Sequence, residues 1–161
     1  MSRKLYVLLS LVLAIAFALS ACGAPAATEA PAATAAPAAA IVVEGQWGRP
    51  SPMVATAGAI YMTIKNSGAD ADKLVSGASA ACGAVELHES YKMDNGAMGM
   101  RPVTGGFIEI PVGGMAELKP GGLHIMCIDK LTQFVAGAKI PLTLKFEKAG
   151  EIAIEVEIRE Q

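Results

Sequence analysis

Histidine is nearly absent from this chain of 161 residues, which has only His88 and His124. Any metal site that needs three imidazoles from one chain is therefore excluded. Cysteine is almost as scarce, with three residues at Cys22, Cys82 and Cys127. Charged residues make up 17% and aromatics 5% of the chain, and the formal net charge is −2. Without Arg3 and Lys4, which lie in a segment expected to be removed, 11 basic and 15 acidic side chains remain, a net of −4. No basic stripe or patch of the kind that binds nucleic acid is present. No catalytic triad, paired catalytic carboxylates or cofactor fingerprint stands out, so an enzyme is not expected. Gly113-Gly114 and Gly121-Gly122 each sit between strand-like runs rather than opening a helix, which argues against a phosphate-cradling loop.

The hydrophobic fraction is 53%, but alanine inflates it, and the first forty positions raise the mean hydropathy to +0.44. Residues 1–21 read as an export signal: Arg3 and Lys4 give a positive start, and the apolar run Leu8 to Leu19 is short for a membrane span. The run ends in Leu19-Ser20-Ala21-Cys22, which resembles the bacterial lipobox, so Cys22 is expected to be the lipidated first residue of the mature protein, the alternative being an ordinary signal peptide cut nearby that leaves Cys22 a free thiol. The chain is then expected to be an extracytoplasmic, membrane-anchored lipoprotein, in the periplasm or at the cell surface. In residues 22–40 Pro25, Pro31 and Pro37 interrupt an alanine-rich stretch without an apolar face, so this reads as a flexible tether. It would reach on the order of 25 Å as a coil and about 55 Å if stretched.

From Ile41 to Gln161 the pattern changes to short β-type runs punctuated by Gly, Pro and Asn, and one domain is expected. The runs are Ile41 to Trp47, Ala59 to Ile64, Lys73 to Val75, Ala84 to His88, Phe107 to Ile110, Ala116 to Leu118, Leu123 to Ile128, Ile140 to Phe146 and Ile152 to Ile158. Asn95-Gly96 is a two-residue hairpin signal. In the last run Ile152, Ile154, Val156 and Ile158 alternate with polar residues, as expected of a half-buried antiparallel strand. Residues 131–138 could form a helical turn. Many short strands with Gly and Pro turns indicate an all-β sandwich or barrel.

Seven methionines follow the signal segment, and five of them (Met93, Met98, Met100, Met115 and Met126) lie between positions 93 and 126, with His88 and His124 nearby. A methionine is ordinarily a core filler. Strand parity argues otherwise here. Period-2 alternation from Leu123 to Cys127 sets Leu123, Ile125 and Cys127 on one face and His124 and Met126 on the other. In the same way Val85 and Leu87 oppose His88, and Met98 and Met100 share a face. Apolar triplets belong in the core, so the imidazoles and thioethers should project away from it. Two imidazoles with one or two thioethers form a neutral, soft donor set that selects Cu(I). Outside the cytoplasm paired thiols tend to oxidise, whereas a thioether persists as a ligand. These residues alone therefore suggest a surface-accessible Cu(I) site, with a methionine-rich surface patch as the alternative.

Four stretches together make the chain resemble the PCuAC family of periplasmic copper chaperones. They are Gly58 to Asn66, Val85-Glu86-Leu87-His88-Glu89, Met98-Gly99-Met100-Arg101-Pro102-Val103, and Leu118 to Met126. The resemblance runs from about Ile41 to Arg159. It implies an all-β, cupredoxin-like antiparallel β-sandwich of Greek-key type that binds one Cu(I). It implies His88, Met100, His124 and Met126 as ligands, and delivery towards the dinuclear copper centre of cytochrome c oxidase, directly or through another copper chaperone. Both ligand spacings are slightly longer than the family's, with the extra residues assignable to the Asn95-Gly96 loop and to Thr104-Gly105-Gly106. That shift leaves room for Met98 to replace Met100 and for Met93 to assist. No His- and Met-rich tail precedes Gln161, so one site is expected.

Cys127 could be a buried small residue, a disulfide partner of Cys82, or a copper ligand, and sequence does not separate these. Glu86 and Glu89 read as a solvated edge. A blue-copper electron carrier would need a Cys thiolate with two His, and no His follows Cys127. A structural β-sandwich lipoprotein without metal is the other alternative. For the anchor, Cys22→Ser is expected to move the full-length protein from the membrane to the soluble extracytoplasmic fraction. Retention of that variant in the membrane pellet would exclude lipidation at this residue.

Overall fold

The structure, a computed structural model, describes residues 40–160. The export signal, Cys22 and nearly all of the tether lie outside the described residues. Ten strands are formed: β1 (Ile41–Gly48), β2 (Gly58–Asn66), β3 (Asp72–Ala78), β4 (Cys82–Lys92), β5 (Met98–Pro102), β6 (Ile108–Ile110), β7 (Met115–Leu118), β8 (Leu123–Lys130), β9 (Lys139–Phe146) and β10 (Gly150–Ile158). Among the described residues there is no helix.

Hydrogen bonding links the strands in the order β5-β4-β8-β7-β2-β1-β10-β9-β3-β6. Neighbours run antiparallel except at β1–β10 and β7–β8. β10 thus keeps the alternation expected of it, with Val156 and Ile158 buried, but only its β9 side is antiparallel. The sheet folds back on itself. Gly77 in β3 approaches β4 so closely that a Cβ there would lie 2.9 Å from Val85 Cγ1. The apolar faces of the two halves enclose one core, which includes Ile60, Ile64, Leu74, Ile125, Leu144 and Ile158, each fully shielded from solvent. This is the all-β, cupredoxin-like architecture expected from the sequence.

Two local expectations change. Residues 131–138 form no helical turn. They are an irregular segment held by a bridge between Ser51 and Phe134 and by the buried Lys130, whose Nζ donates to the Ser51 and Pro52 carbonyl oxygens, both at 3.0 Å, and to Ser51 Oγ. Phe134 packs over Gly58, where a Cβ would lie 2.6 Å from the ring, so this crossing requires glycine. Asn95-Gly96 does not form a two-residue turn either. Gly96 N donates to Met93 O at 2.9 Å and Met93 N to Ala97 O at 2.8 Å, giving a longer loop closed by Gly96 at φ 83°. A type I′ turn needs positive φ at both central residues and a type II′ turn at the first, and Asn95, which would be the first, does not have it.

The structure also separates the three readings that the sequence leaves open for Cys127. Cys127 is fully buried, but it is not a free small residue: it forms a disulfide with Cys82, with the Cα atoms 5.3 Å apart. The bond ties β4 to β8 and closes a sequence separation of 45 residues. Loop-closure entropy alone assigns it about 4 kcal/mol. Replacing Cys82 and Cys127 together by Ala is expected to remove about 2–4 kcal/mol of stability, read from urea unfolding. Reductant should destabilise the unmodified domain to a similar extent and leave the double variant unchanged.

Candidate metal centre

The site grows from the register of three neighbouring strands. β4 is central to it, with β8 on one side and β5 on the other. In the β4–β8 ladder His88 lies directly opposite His124, and Glu86 opposite Met126. In the β4–β5 hairpin Pro102 is opposite His88, Met100 opposite Ser90, and Met98 opposite Lys92. Directly paired residues share a sheet face. His88, His124, Met126, Met100 and Met98 therefore lie on one face, opposite the core-facing Leu87 and Ile125.

Parity is as expected from the sequence, but burial is not. His124 is 2% exposed and Met126 is 8% exposed, because β8 is an interior strand covered on both faces. On the outer face Tyr61 of β2 lies 6.2 Å from the His124 ring, centroid to centroid, and Trp47 of β1 packs 4.7 Å from Tyr61. The His88 ring lies 5.8 Å from that of His124. Met100 and Met98, by contrast, stand on the edge strand and are about three-fifths exposed. The surface-accessible site expected from the sequence is therefore sunk at its β8 side and open at its β5 side.

The hydrogen bonds of the two rings define their chemistry. His124 Nδ1 is 3.0 Å from Gly122 O, which can only accept, so Nδ1 carries the proton and Nε2 keeps a lone pair. His88 Nε2 is 2.7 Å from Glu86 Oε2, which leaves Nδ1 with the lone pair. Both remaining nitrogens, His88 Nδ1 and His124 Nε2, are buried without a hydrogen-bond partner among the described residues. A buried unsatisfied nitrogen is costly, and two on neighbouring rings fit a bound cation. Burial pushes the His124 pKa below the ordinary histidine value, His88 adds to the shift, and the bond to Gly122 O opposes it. The neutral, ligating form is thereby favoured.

Among the described residues no group of three or more His, Cys, Asp or Glu side chains could hold a metal. Further donors beside the two imidazoles would have to be thioethers. Register separates the candidates. Met100 is two residues along the hairpin from the level of His88, about 7 Å, whereas Met98 is four residues away, about 13 Å. Met126 is two residues from His124 on the same strand. Met93 is not brought to the imidazoles: a Cβ on Gly99 would lie 2.6 Å from Met93 Cε and 2.8 Å from the Tyr91 ring. Gly99 points away from Met98 and Met100, so the Met93 methyl lies on the other face of the hairpin. Cys127 contributes no thiolate while bonded to Cys82, which removes the blue-copper ligand set.

Sequence reasoning missed two contributors. Glu86 is solvated, as expected, with its side chain 46% exposed, but its carboxylate also accepts from His88; the signal for this second role is its two-residue offset from His88, which sets both on one strand face. The Trp47–Tyr61 wall carried no local signal, since it depends on pairing between β1 and β2.

Residues 41–158 match the family profile described as "Putative lipoprotein LpqE-like". A relative from Leifsonia xyli subsp. xyli (strain CTCB07), "Putative lipoprotein Lxx21020", is 33% identical over 102 residues, covering 63% of this chain and 60% of the relative. The aligned stretch thus spans well under two thirds of that relative's length. Among solved structures, the copper-bound PCuAC domain from PmoF2 is 27% identical, with a TM-score of 0.63 over 76% of this chain and 94% of that one. The apo PCuAC domain from PmoF1 is also 27% identical, with a TM-score of 0.64 over 76% of this chain and 95% of that one.

The lowered His124 pKa has a stability consequence. Above the ordinary value of 6.5 the ring is neutral in both folded and unfolded chains, so pH has no effect through this group. As pH falls below 6.5 the unfolded chain takes up a proton that the folded chain resists, and stability drops until the folded pKa is passed. The metal-free domain should therefore lose stability from pH 7 to pH 5, measured by urea unfolding, and His124→Gln should flatten that part of the profile. An equally steep profile in the variant would assign the effect elsewhere.

Proposed function

The chain belongs to the LpqE-like family of lipoproteins and has the fold of PCuAC domains, and from this we propose that it is an extracytoplasmic copper chaperone. It binds one Cu(I) through His88, His124, Met126 and Met100 and passes the ion to a recipient. The observation that carries the reading is the pair of imidazoles 5.8 Å apart, centroid to centroid, each with one buried nitrogen that has no hydrogen-bond partner among the described residues. The neutral donor set supports Cu(I) over harder ions, because thioethers bind soft cations and, among the described residues, no carboxylate cluster accompanies them.

Graded exposure suits a carrier rather than an enzyme. His124 and Met126 are buried and hold the ion from below, while Met100 is exposed on an edge strand and is the ligand a recipient can replace first. His88, with its side chain 13% exposed, comes next. No turnover is required, only stepwise exchange of ligands. The recipient we propose is the copper-accepting domain of cytochrome c oxidase or another copper chaperone that serves its dinuclear centre. Cys22 would anchor the protein by lipid, with the Ala- and Pro-rich tether giving the domain reach over the membrane surface.

Titration of the domain with Cu(I) against a competing chelator under mild reduction tests the site. One-to-one binding is expected, weakened at least about tenfold by His88→Ala, His124→Ala or Met126→Ala and less by Met100→Ala, with Met93→Ala unchanged. If the unmodified domain failed to compete for Cu(I), the chaperone reading would fall. If Met98→Ala weakened binding and Met100→Ala did not, Met98 would take the fourth position.

A further inference from the structure

We propose that Glu86 is a positioning residue for the copper site: its carboxylate holds the His88 ring so that Nδ1, not Nε2, faces His124. The inference rests on the copper reading above and deepens it by assigning the coordinating atom. Glu86 and His88 sit two apart on β4 and share its outer face. The carboxylate oxygen is 2.7 Å from His88 Nε2, and an ionised carboxylate can only accept, so Nε2 is the protonated nitrogen. The opposite nitrogen, Nδ1, is buried and unpartnered, as is His124 Nε2 on the facing ring.

The two rings are held by different means. His124 is fixed by the backbone, through Gly122 O two residues before it, in a turn that the main chain itself defines. Among the described residues the His88 ring has no such backbone partner, and the hydrogen bond that orients it comes from a side chain. An imidazole can rotate by half a turn about its bond to Cβ and exchange the positions of its two edges. Without Glu86 both orientations of His88 become accessible, and in one of them Nε2 rather than Nδ1 turns toward His124. The hydrogen bond also makes the ring a better donor, as carboxylate partners of metal-binding histidines do. The assigned arrangement is therefore asymmetric, with one ring coordinating through Nδ1 and the other through Nε2.

The test uses protein from Ile41 onward, since the entire described core lies within residues 41–158. Long-range nitrogen–proton spectra of the histidine rings would be recorded without metal and with one equivalent of Cu(I). In the unmodified protein a protected His88 Nε2–H is expected without metal, and Nδ1 coordination with it. Glu86→Ala should lose the protected proton, show coordination through Nε2 or a mixture, and bind Cu(I) about 10- to 100-fold more weakly. Glu86→Gln, whose amide oxygen still accepts from Nε2–H, should restore Nδ1 coordination and most of the affinity.

Unchanged Nδ1 coordination and affinity in Glu86→Ala would overturn the proposal, as would a Gln variant that behaves like the Ala variant. If the unmodified protein did not bind Cu(I), the copper reading would fail separately. The metal-free spectra would still decide whether Glu86 holds the ring, because an equally protected Nε2–H in Glu86→Ala would refute it.

Discussion

His88 stands directly across from His124, and this depends on the register between β4 and β8. In a sheet, a slip of one residue moves every side chain of a strand to the other face. Here such a slip would set His88 among the core residues and bring Leu87 out beside Met126. Two features hold the register. The alternation of Val85 and Leu87 on one strand with Ile125 and Cys127 on the other fixes which faces turn inward. The Cys82–Cys127 disulfide then ties the same two strands covalently. The bond therefore does more than limit the unfolded chain, because it pins the ladder on which both imidazoles stand.

From that pair outward the site changes in character. On the β2 and β1 side, Tyr61 and Trp47 form an apolar wall, which keeps His124 dry and its imidazole neutral. On the β5 side the sheet ends, and Met100 stands at an edge with one neighbouring strand. A cargo site needs both properties. In the proposed carrier the buried half would supply retention, since candidate ligands that cannot move away compete well against water. The edge half supplies exchange, since an exposed thioether on a hairpin can yield to an incoming ligand without disturbing the core. In the proposed site a soft cation would be held by neutral groups.

Much of this was legible in particular residues. The alternation in Leu123-His124-Ile125-Met126-Cys127 and in Val85-Glu86-Leu87-His88 assigned the correct side chains to the outer face, because side-chain period in a strand is a local property. The burial of that face was not legible, because it depends on β8 having neighbours on both sides. The preference for Met100 over Met98 was left open for the same reason: spacing along the chain cannot count residues in a hairpin whose turn is unknown. Asn95-Gly96 illustrates this. The dipeptide suggested a two-residue turn, but only Gly96 takes a positive φ, and the loop runs from Met93 to Ala97. Residues 131–138 looked capable of a helical turn, yet the buried Lys130 and the Ser51–Phe134 bridge hold them irregular.

The sequence alone determined the all-β class, the approximate position of nearly every strand and the soft donor set on one strand face. Each follows from residue type and from periods of two or from turn residues, which act over a few positions. Tertiary structure decided which histidine faces which, which nitrogens are left without partners and how deeply each ligand lies. It also joined Cys82 to Cys127. These depend on pairings between residues dozens of positions apart, and their energy comes from burial and cross-strand contact that no local pattern encodes.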